Sequence, residues 1–233
     1  MNNKTVLITG VSLGIGKELA LYFSKNDWNV CGCYRVHKPE YEIPHSKFFR
    51  ADISKHDEAK LFIESAYNEF GEISCVINNA SISKNKIIFR EQDENWNEVI
   101  QTNLNGTFYV LKEALRIMAK QHCGSIINLA SISAYRSFAG AASYSASKAG
   151  VIALTKTAAR EGGRFGVTVN AVLPGFHLTK MGKSAGYDYM EYAKRDSVLN
   201  TTTDINELLD FIYMLSHMKT VSGQVFNVDS RII

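Results

Sequence analysis

The 233 residues predict an α/β protein: a doubly wound, seven-stranded parallel sheet with helices on both faces. Three observations predict it. Short Val/Ile/Leu-rich runs alternate with helix-like stretches from end to end. The runs are continuously apolar instead of alternating, as expected of strands covered on both sides. A glycine-rich turn, Thr-Gly-Val-Ser-Leu-Gly-Ile-Gly (9–16), joins the first run to the first helical stretch. No repeat or compositional break divides the chain, so it reads as a single domain over 1–233.

The elements follow in order. Thr-Val-Leu-Ile-Thr (5–9) is a buried strand, and 15–26 a helix. Asn-Val-Cys-Gly-Cys (29–33) is the second strand, with Cys31 and Cys33 two apart and so on one side of the sheet. Phe-Phe-Arg-Ala (48–51) is the third strand, followed by a helix over 57–70. Cys-Val-Ile-Asn-Asn (75–79) is the fourth strand, and 94–120 holds one or two helices. Ser-Ile-Ile-Asn-Leu (125–129) is the fifth strand, followed by a long helix over 143–162. Thr-Val-Asn-Ala-Val (168–172) is the sixth, 204–216 the last helix, and Gln-Val-Phe-Asn-Val (224–228) the seventh strand. The segment 176–203 stands apart: long, rich in Gly, Ser, Thr, Tyr and Met, and placed after Pro174-Gly175. It reads as a substrate lid.

Composition narrows the function. With 45% hydrophobic and 21% charged residues, the chain can bury a sizeable core. No run of about 18 apolar residues occurs, so no membrane span is expected, and the N-terminus lacks the pattern of a signal peptide. The formal charge of +3 is spread along the sequence, as on a solvated surface and not a nucleic-acid face. It would suit an anionic cofactor or an acidic carrier. Cys31, Cys33, Cys75 and Cys123 form no Cys-x-x-Cys pair and no zinc spacing. They read as reduced, mostly buried thiols of a cytoplasmic protein that binds no metal.

Tyr144 and Lys148 carry the chemistry. A phenol titrates near ~10, too high for acid–base work at neutral pH. A lysine four residues on along a helix lies one turn away on the same face, and its charge favours the phenolate. Gly10, Gly14 and Gly16 permit a tight turn and the close approach of a phosphate, with the following helix N-terminus as anion site. The alternative is a turn serving only helix–strand packing. At the end of the second strand, Cys-Tyr-Arg-Val-His-Lys (33–38) holds no carboxylate, and Arg35 favours NADP over NAD unless it merely faces solvent. Asp52 would accept from an adenine amino group, or else cap the next helix.

Together these residues resemble the short-chain dehydrogenase/reductase family over essentially the whole chain. The matching pieces are the turn at 9–16, Asp52, Asn-Asn-Ala (78–80), Asn103, Ser131, Tyr144 with Lys148, and Pro-Gly-Phe-His-Leu-Thr (174–179). Within the family the likeness is greatest to the 3-oxoacyl-acyl-carrier-protein reductases, through Ser-Tyr-Ser-Ala-Ser-Lys (143–148), 168–176 and 222–228. The chain departs at Ser81, where the family has glycine, and at Leu13, which is often basic in NADP-dependent members. It departs again at Val-Leu-Asn-Thr-Thr (198–202) and at Asp-Ser-Arg-Ile (229–232), which replaces an Asn-Gly-Gly ending. The last two bear on the lid and the substrate.

The resemblance implies a Rossmann-type fold and NADPH-dependent reduction of a carbonyl, most specifically a 3-oxoacyl thioester on acyl carrier protein, in a homotetramer. It implies a catalytic set of Asn103, Ser131, Tyr144 and Lys148. Tyr144 would donate the proton. Lys148 would lower its pKa and bind the nicotinamide ribose. Ser131 would bind the substrate oxygen, and Asn103 would hold a water linking Lys148 to solvent. Cofactor contacts are implied for Gly10, Ser12, Leu13, Gly14, Ile15, Gly16, Arg35, Asp52, Ile53, Asn79, Ala80, Tyr144, Lys148, Pro174, Gly175, His177 and Thr179. Phe176, Met181, Tyr187, Tyr189 and Met190 suit an apolar substrate or a subunit interface. Lys120, His122, Arg160 and Arg164 are candidates for carrier docking, or plain solvated charges. Other readings are a dehydrogenase of a small alcohol, sterol or sugar, and a non-catalytic dinucleotide sensor or scaffold; the complete catalytic set speaks against the last.

Overall fold

A computed structural model describes residues 3–177 and 187–233. Seven strands form one all-parallel sheet: β1 (Thr5–Thr9), β2 (Asn29–Tyr34), β3 (Ser46–Arg50), β4 (Cys75–Asn78), β5 (Gly124–Leu129), β6 (Val167–Leu173) and β7 (Val225–Asn227). Their order is β3-β2-β1-β4-β5-β6-β7. The strand order reverses between β1 and β4, and the crevice beyond the carboxyl ends of those strands is where such a sheet binds ligands.

The described helices are α1 (Gly14–Lys25), α2 (His56–Phe70), α3 (Asp93–Ile100), α4 (Gly106–Gln121), α5 (Ala142–Gly163), α6 (Tyr187–Arg195) and α7 (Ile205–His217). Alternation along the strands splits the core into two layers. Leu7, Val76, Ile126 and Val169 meet Phe62 and Ile63 of α2, Val110 and Met118 of α4, and Ala158 of α5. Val6, Ile8, Ile77, Ile127 and Val172 meet Leu19 and Phe23 of α1 and Leu208 and Ile212 of α7. Cys31 and Cys33 share the first layer, and burial pushes the Cys33 thiol up to about 12.

Residues 35–45 join β2 to the parallel β3 without a helix, and none was read there; Tyr41 and Ile43 pack against the second layer. The stretch 94–120 is two helices with a π-helical turn, Gln101–Asn105, between them. Within 176–203, read as a loop-like lid, Tyr187–Arg195 is helical.

Candidate active site

Beyond β1 the chain turns sharply. Gly10 adopts φ +75° and Gly14 φ +61°, conformations that favour glycine. A Cβ on Gly16 would lie 2.2 Å from Gly10 O and 2.5 Å from Asn79 Nδ2, so only glycine fits. The neighbouring strand braces the turn. Thr9 Oγ1 accepts the backbone N–H of Asn79 and of Ala80, each at 3.0 Å. Asn79 Nδ2 donates to Thr9 O at 2.8 Å and Gly10 O at 3.0 Å. Helix α1 then starts at Gly14 with Leu13 as its N-cap, with no side-chain cap and no acidic residue in its first turn. Its first N–H groups and its positive dipole end therefore face the crevice uncompensated, the condition for receiving a phosphate. This cradle fits a dinucleotide.

The second half of the site lies where β5 ends and α5 begins. Lys148 is 3% exposed. Its Nζ donates to Leu129 O at 2.7 Å and sits 5.7 Å from the centre of the Tyr144 ring. Burial brings its ammonium down from 10.5 to about 8. Two residues past Leu129, Ser131 caps a 3₁₀ turn, Ile132–Ala134, accepting Ser133 N–H at 3.2 Å. Asn103 sits in the π-helical turn and is 1% exposed. Its amide donates to Ile82 O at 2.9 Å and Ser147 Oγ at 3.1 Å, and accepts Ile82 N–H at 2.8 Å. Ser147 Oγ in turn donates to Tyr144 O at 2.7 Å. Asn103 is thus coupled to the tyrosine's turn of helix through Ser147.

A family model, short chain dehydrogenase, matches residues 4–189. The chain belongs to the short chain dehydrogenase family. The 3-oxoacyl-[acyl-carrier-protein] reductase FabG of Staphylococcus epidermidis is 34% identical over 238 residues, covering 97% of this chain and 98% of that one. A 3-oxoacyl-[acyl-carrier-protein] reductase of Synechocystis is 31% identical over 246 residues, covering 99% and 97%. Among solved structures, ElxO with NADP bound superposes with a TM-score of 0.90 at 31% identity, covering 98% of both chains. A variant of the actinorhodin polyketide ketoreductase with NADPH gives 0.91 at 26% identity, covering 98% and 96%.

The structure of this dehydrogenase refines several expectations. Both N–H donors of the Asn103 side chain are spent on protein partners, so a water held by Asn103 would donate to its oxygen instead of accepting from its amide. Asp52 is not the cap of α2, whose N-cap is Lys55. Its Oδ1 accepts Ser54 N–H at 3.1 Å and Ser54 Oγ at 2.7 Å, a local turn. Ile53 is 5% exposed within the first core layer, and Ile15 packs against the second. Ser12 Oγ donates to His37 O at 2.5 Å, pinning the β2–β3 connection to the glycine turn, while Leu13 is 53% exposed. Arg35 is exposed, with Nη1 3.7 Å from Glu98 Oε1.

On the far side of the crevice, β6 runs into Pro174. Gly175 adopts φ +80°, and a Cβ there would lie 1.9 Å from Thr203 Oγ1. His177 hydrogen-bonds Pro174 O at 2.6 Å, and burial keeps its ring pKa below the usual range. Phe176 is buried. Thr179 and Met181 lie outside the described residues, as do the side chains of Tyr187 and Tyr189.

One expectation is corrected. Lys120, His122, Arg160 and Arg164 are exposed, but they cluster where α4 and α5 end, beside Gly166, at the amino edge of β5. Lys148 and Tyr144 lie at its carboxyl edge, roughly 20 Å back along α5. Within one subunit those cations do not border the cleft.

Sequence reasoning missed Thr9, Ser147 and Asn128. Asn128 Nδ2 donates to Thr155 Oγ1 at 2.9 Å and its Oδ1 accepts from Asn78 at 2.8 Å, tying β4, β5 and α5 together in the interior. The one available signal was spacing: Ser147 lies three residues after Tyr144, on the same helix face.

Proposed function

We propose that this protein is an NADPH-dependent reductase that converts a 3-oxoacyl thioester on acyl carrier protein to the 3-hydroxyacyl thioester. The observation that carries the reading is the buried Lys148 held against the Tyr144 ring, beside the Ser131 turn and across the crevice mouth from the uncapped end of α1. NADPH, when bound, supplies the hydride. The protein supplies the rest. The Tyr144 hydroxyl delivers a proton to the substrate oxygen, and the Lys148 charge stabilises the phenolate left behind. Ser131 Oγ, 3.2 Å from Ser133 Oγ, turns its donor to that oxygen and stabilises charge building there. Asn103 acts as a clamp, holding Ile82 after β4 and Ser147 beside the tyrosine. Gly10 to Gly16 seat the pyrophosphate, and Arg35 exchanges Glu98 for the 2′-phosphate.

The surroundings agree with an acyl substrate and a multisubunit enzyme. Ile88 and Phe89, 77% and 80% exposed, stand beside a cavity of about 630 Å³ that Ala146 and Ala149 of α5 also line. Phe108 of α4, 42% exposed, is a further exposed aromatic. An apolar face of this kind supports self-association, and a homotetramer is the reading adopted. Among the described residues no helix is long and apolar enough to cross a membrane. The proposal places the enzyme in the cytoplasm.

Steady-state reduction of acetoacetyl-CoA, with NADPH against NADH, tests the reading. Turnover with NADPH preferred, and that preference lost in Arg35→Ala, is expected. Oxidation of sugars or sterols without thioester reduction would replace the substrate, and no turnover with any carbonyl would favour a sensor. Light scattering of the purified protein checks the tetramer.

A further inference from the structure

We propose that Arg136, together with the chain's last residues, is a positioning residue for the carbonyl cleft: it straps the turn carrying Ser131 to helix α6. The inference rests on the reading of that cleft as a carbonyl-reducing site. It accounts for Asp-Ser-Arg-Ile (229–232), the ending that departs from the family pattern.

Arg136 is fixed relative to Ser131 by successive backbone bonds. Ala134 N–H donates to Ser131 O at 3.0 Å, and Arg136 N–H donates to Ile132 O at 2.9 Å. Its guanidinium then reaches two other elements. Nη2 donates to Asp196 Oδ1 at 2.8 Å, and Nη1 donates to Ile232 O at 2.8 Å. Asp196 follows directly on α6 and donates its own N–H to Tyr192 O at 2.9 Å. The tail makes a second tie to the same region: Val198 N–H donates to Ser230 O at 3.3 Å, and Ser197 Oγ meets Ser230 Oγ.

The tail is anchored well enough to serve as a strap. Asp229 and Arg231 pair with side chains only 4% exposed each. Asn227, at the end of β7, donates Nδ2 to Arg231 O at 2.7 Å. Three elements therefore converge on one planar, two-armed donor: the Ser131 turn, the end of α6 and a tail fastened to β7. A guanidinium can serve both acceptors at once, whereas an ammonium is a single point donor. Loosening the joint would let the Ser131 turn and α6 move apart, weakening the hold on a substrate between them without touching the dinucleotide cradle beyond β1.

The test compares full-length wild type, Arg136→Ala, Arg136→Lys and Asp196→Asn. Each is assayed for steady-state reduction of acetoacetyl-CoA, for NADPH Kd by fluorescence titration, and for backbone hydrogen exchange. Arg136→Ala is expected to raise KM for acetoacetyl-CoA roughly tenfold, the scale of losing charge-assisted hydrogen bonds, with kcat and NADPH Kd within about twofold. Exchange should quicken in α6 and in Ile132–Ala134 together, and stay unchanged in β5. Arg136→Lys should fall between, recovering one arm. Asp196→Asn keeps the Ile232 contact, should show a smaller rise, and carries the test if Arg136→Ala fails to fold. Unchanged KM and unchanged exchange in α6 would overturn the proposal. So would a parallel loss of KM, kcat, NADPH binding and thermal stability, which marks a merely structural arginine. If wild type reduces no acetoacetyl-CoA, the carbonyl reading fails by itself, and the exchange comparison still decides whether the strap exists.

Discussion

Replacing Lys148 by Met should make the stability gap between variant and wild type depend on pH. The buried ammonium titrates at about 8 in the fold against an ordinary 10.5. Below pH 8 both folded and unfolded wild type carry the proton, and the fold bears the full cost of burying the charge. At 1.36 kcal/mol per pH unit, the interval between 8 and 10.5 corresponds to about 3 kcal/mol. Between those values the unfolded chain binds more protons than the folded one, so wild-type stability rises with pH; above 10.5 the penalty is gone. Met carries no such penalty. It does leave Leu129 O without its 2.7 Å donor, a cost of about 1–3 kcal/mol that does not vary with pH. The variant should therefore gain on wild type most at pH 7, and lose that advantage by about 3 kcal/mol on the way to pH 10.5. Urea unfolding of both proteins at fixed subunit concentration, from pH 6.5 to 10.5, measures the gap. A gap that stays flat across this range would refute the buried, shifted lysine.

Other perturbations probe the two ends of the site. Gly16→Ala places a methyl 2.2 Å from Gly10 O, so the turn must open; NADPH Kd by fluorescence titration should rise at least roughly tenfold. Unchanged affinity would mean that the turn does not seat the cofactor. Asn103→Ala orphans Ile82 N–H and C=O and should cost about 3 kcal/mol, or roughly 10 °C in Tm by calorimetry. A Tm within about 2 °C of wild type would show that the clamp contributes little.

The sheet was legible because parallel strands covered on both faces are predominantly apolar, and β1, β4, β6 and all of β5 after Gly124 are buried. The glycine turn was legible because Gly10 and Gly16 meet steric demands that no other residue satisfies. The π-helical turn at Gln101–Asn105 was not legible. Its Thr and Asn residues mark a weak stretch of helix without saying which hydrogen-bond register it takes, and the bonds that hold Asn103 there are tertiary, to Ile82 and Ser147. Helix α6 hid because Tyr187–Arg195 is short, polar, and follows a Gly/Ser-rich stretch. The distance of Lys120 and Arg164 from the cleft was legible and overlooked: in a parallel sheet a helix that runs into the next strand ends at that strand's amino edge, opposite the carboxyl ends where ligands bind. Arg136 was not legible, because its partner Ile232 lies 96 residues further along the chain.

The central claim is that Tyr144 is the proton donor of an NADPH-dependent carbonyl reduction, supported by Lys148. The most direct measurement is acetoacetyl-CoA reduction by Tyr144→Phe with NADPH saturating and its Kd measured in parallel. The account predicts a fall in kcat of roughly 10²–10⁴-fold with NADPH binding unchanged. Near wild-type kcat in that variant would contradict it.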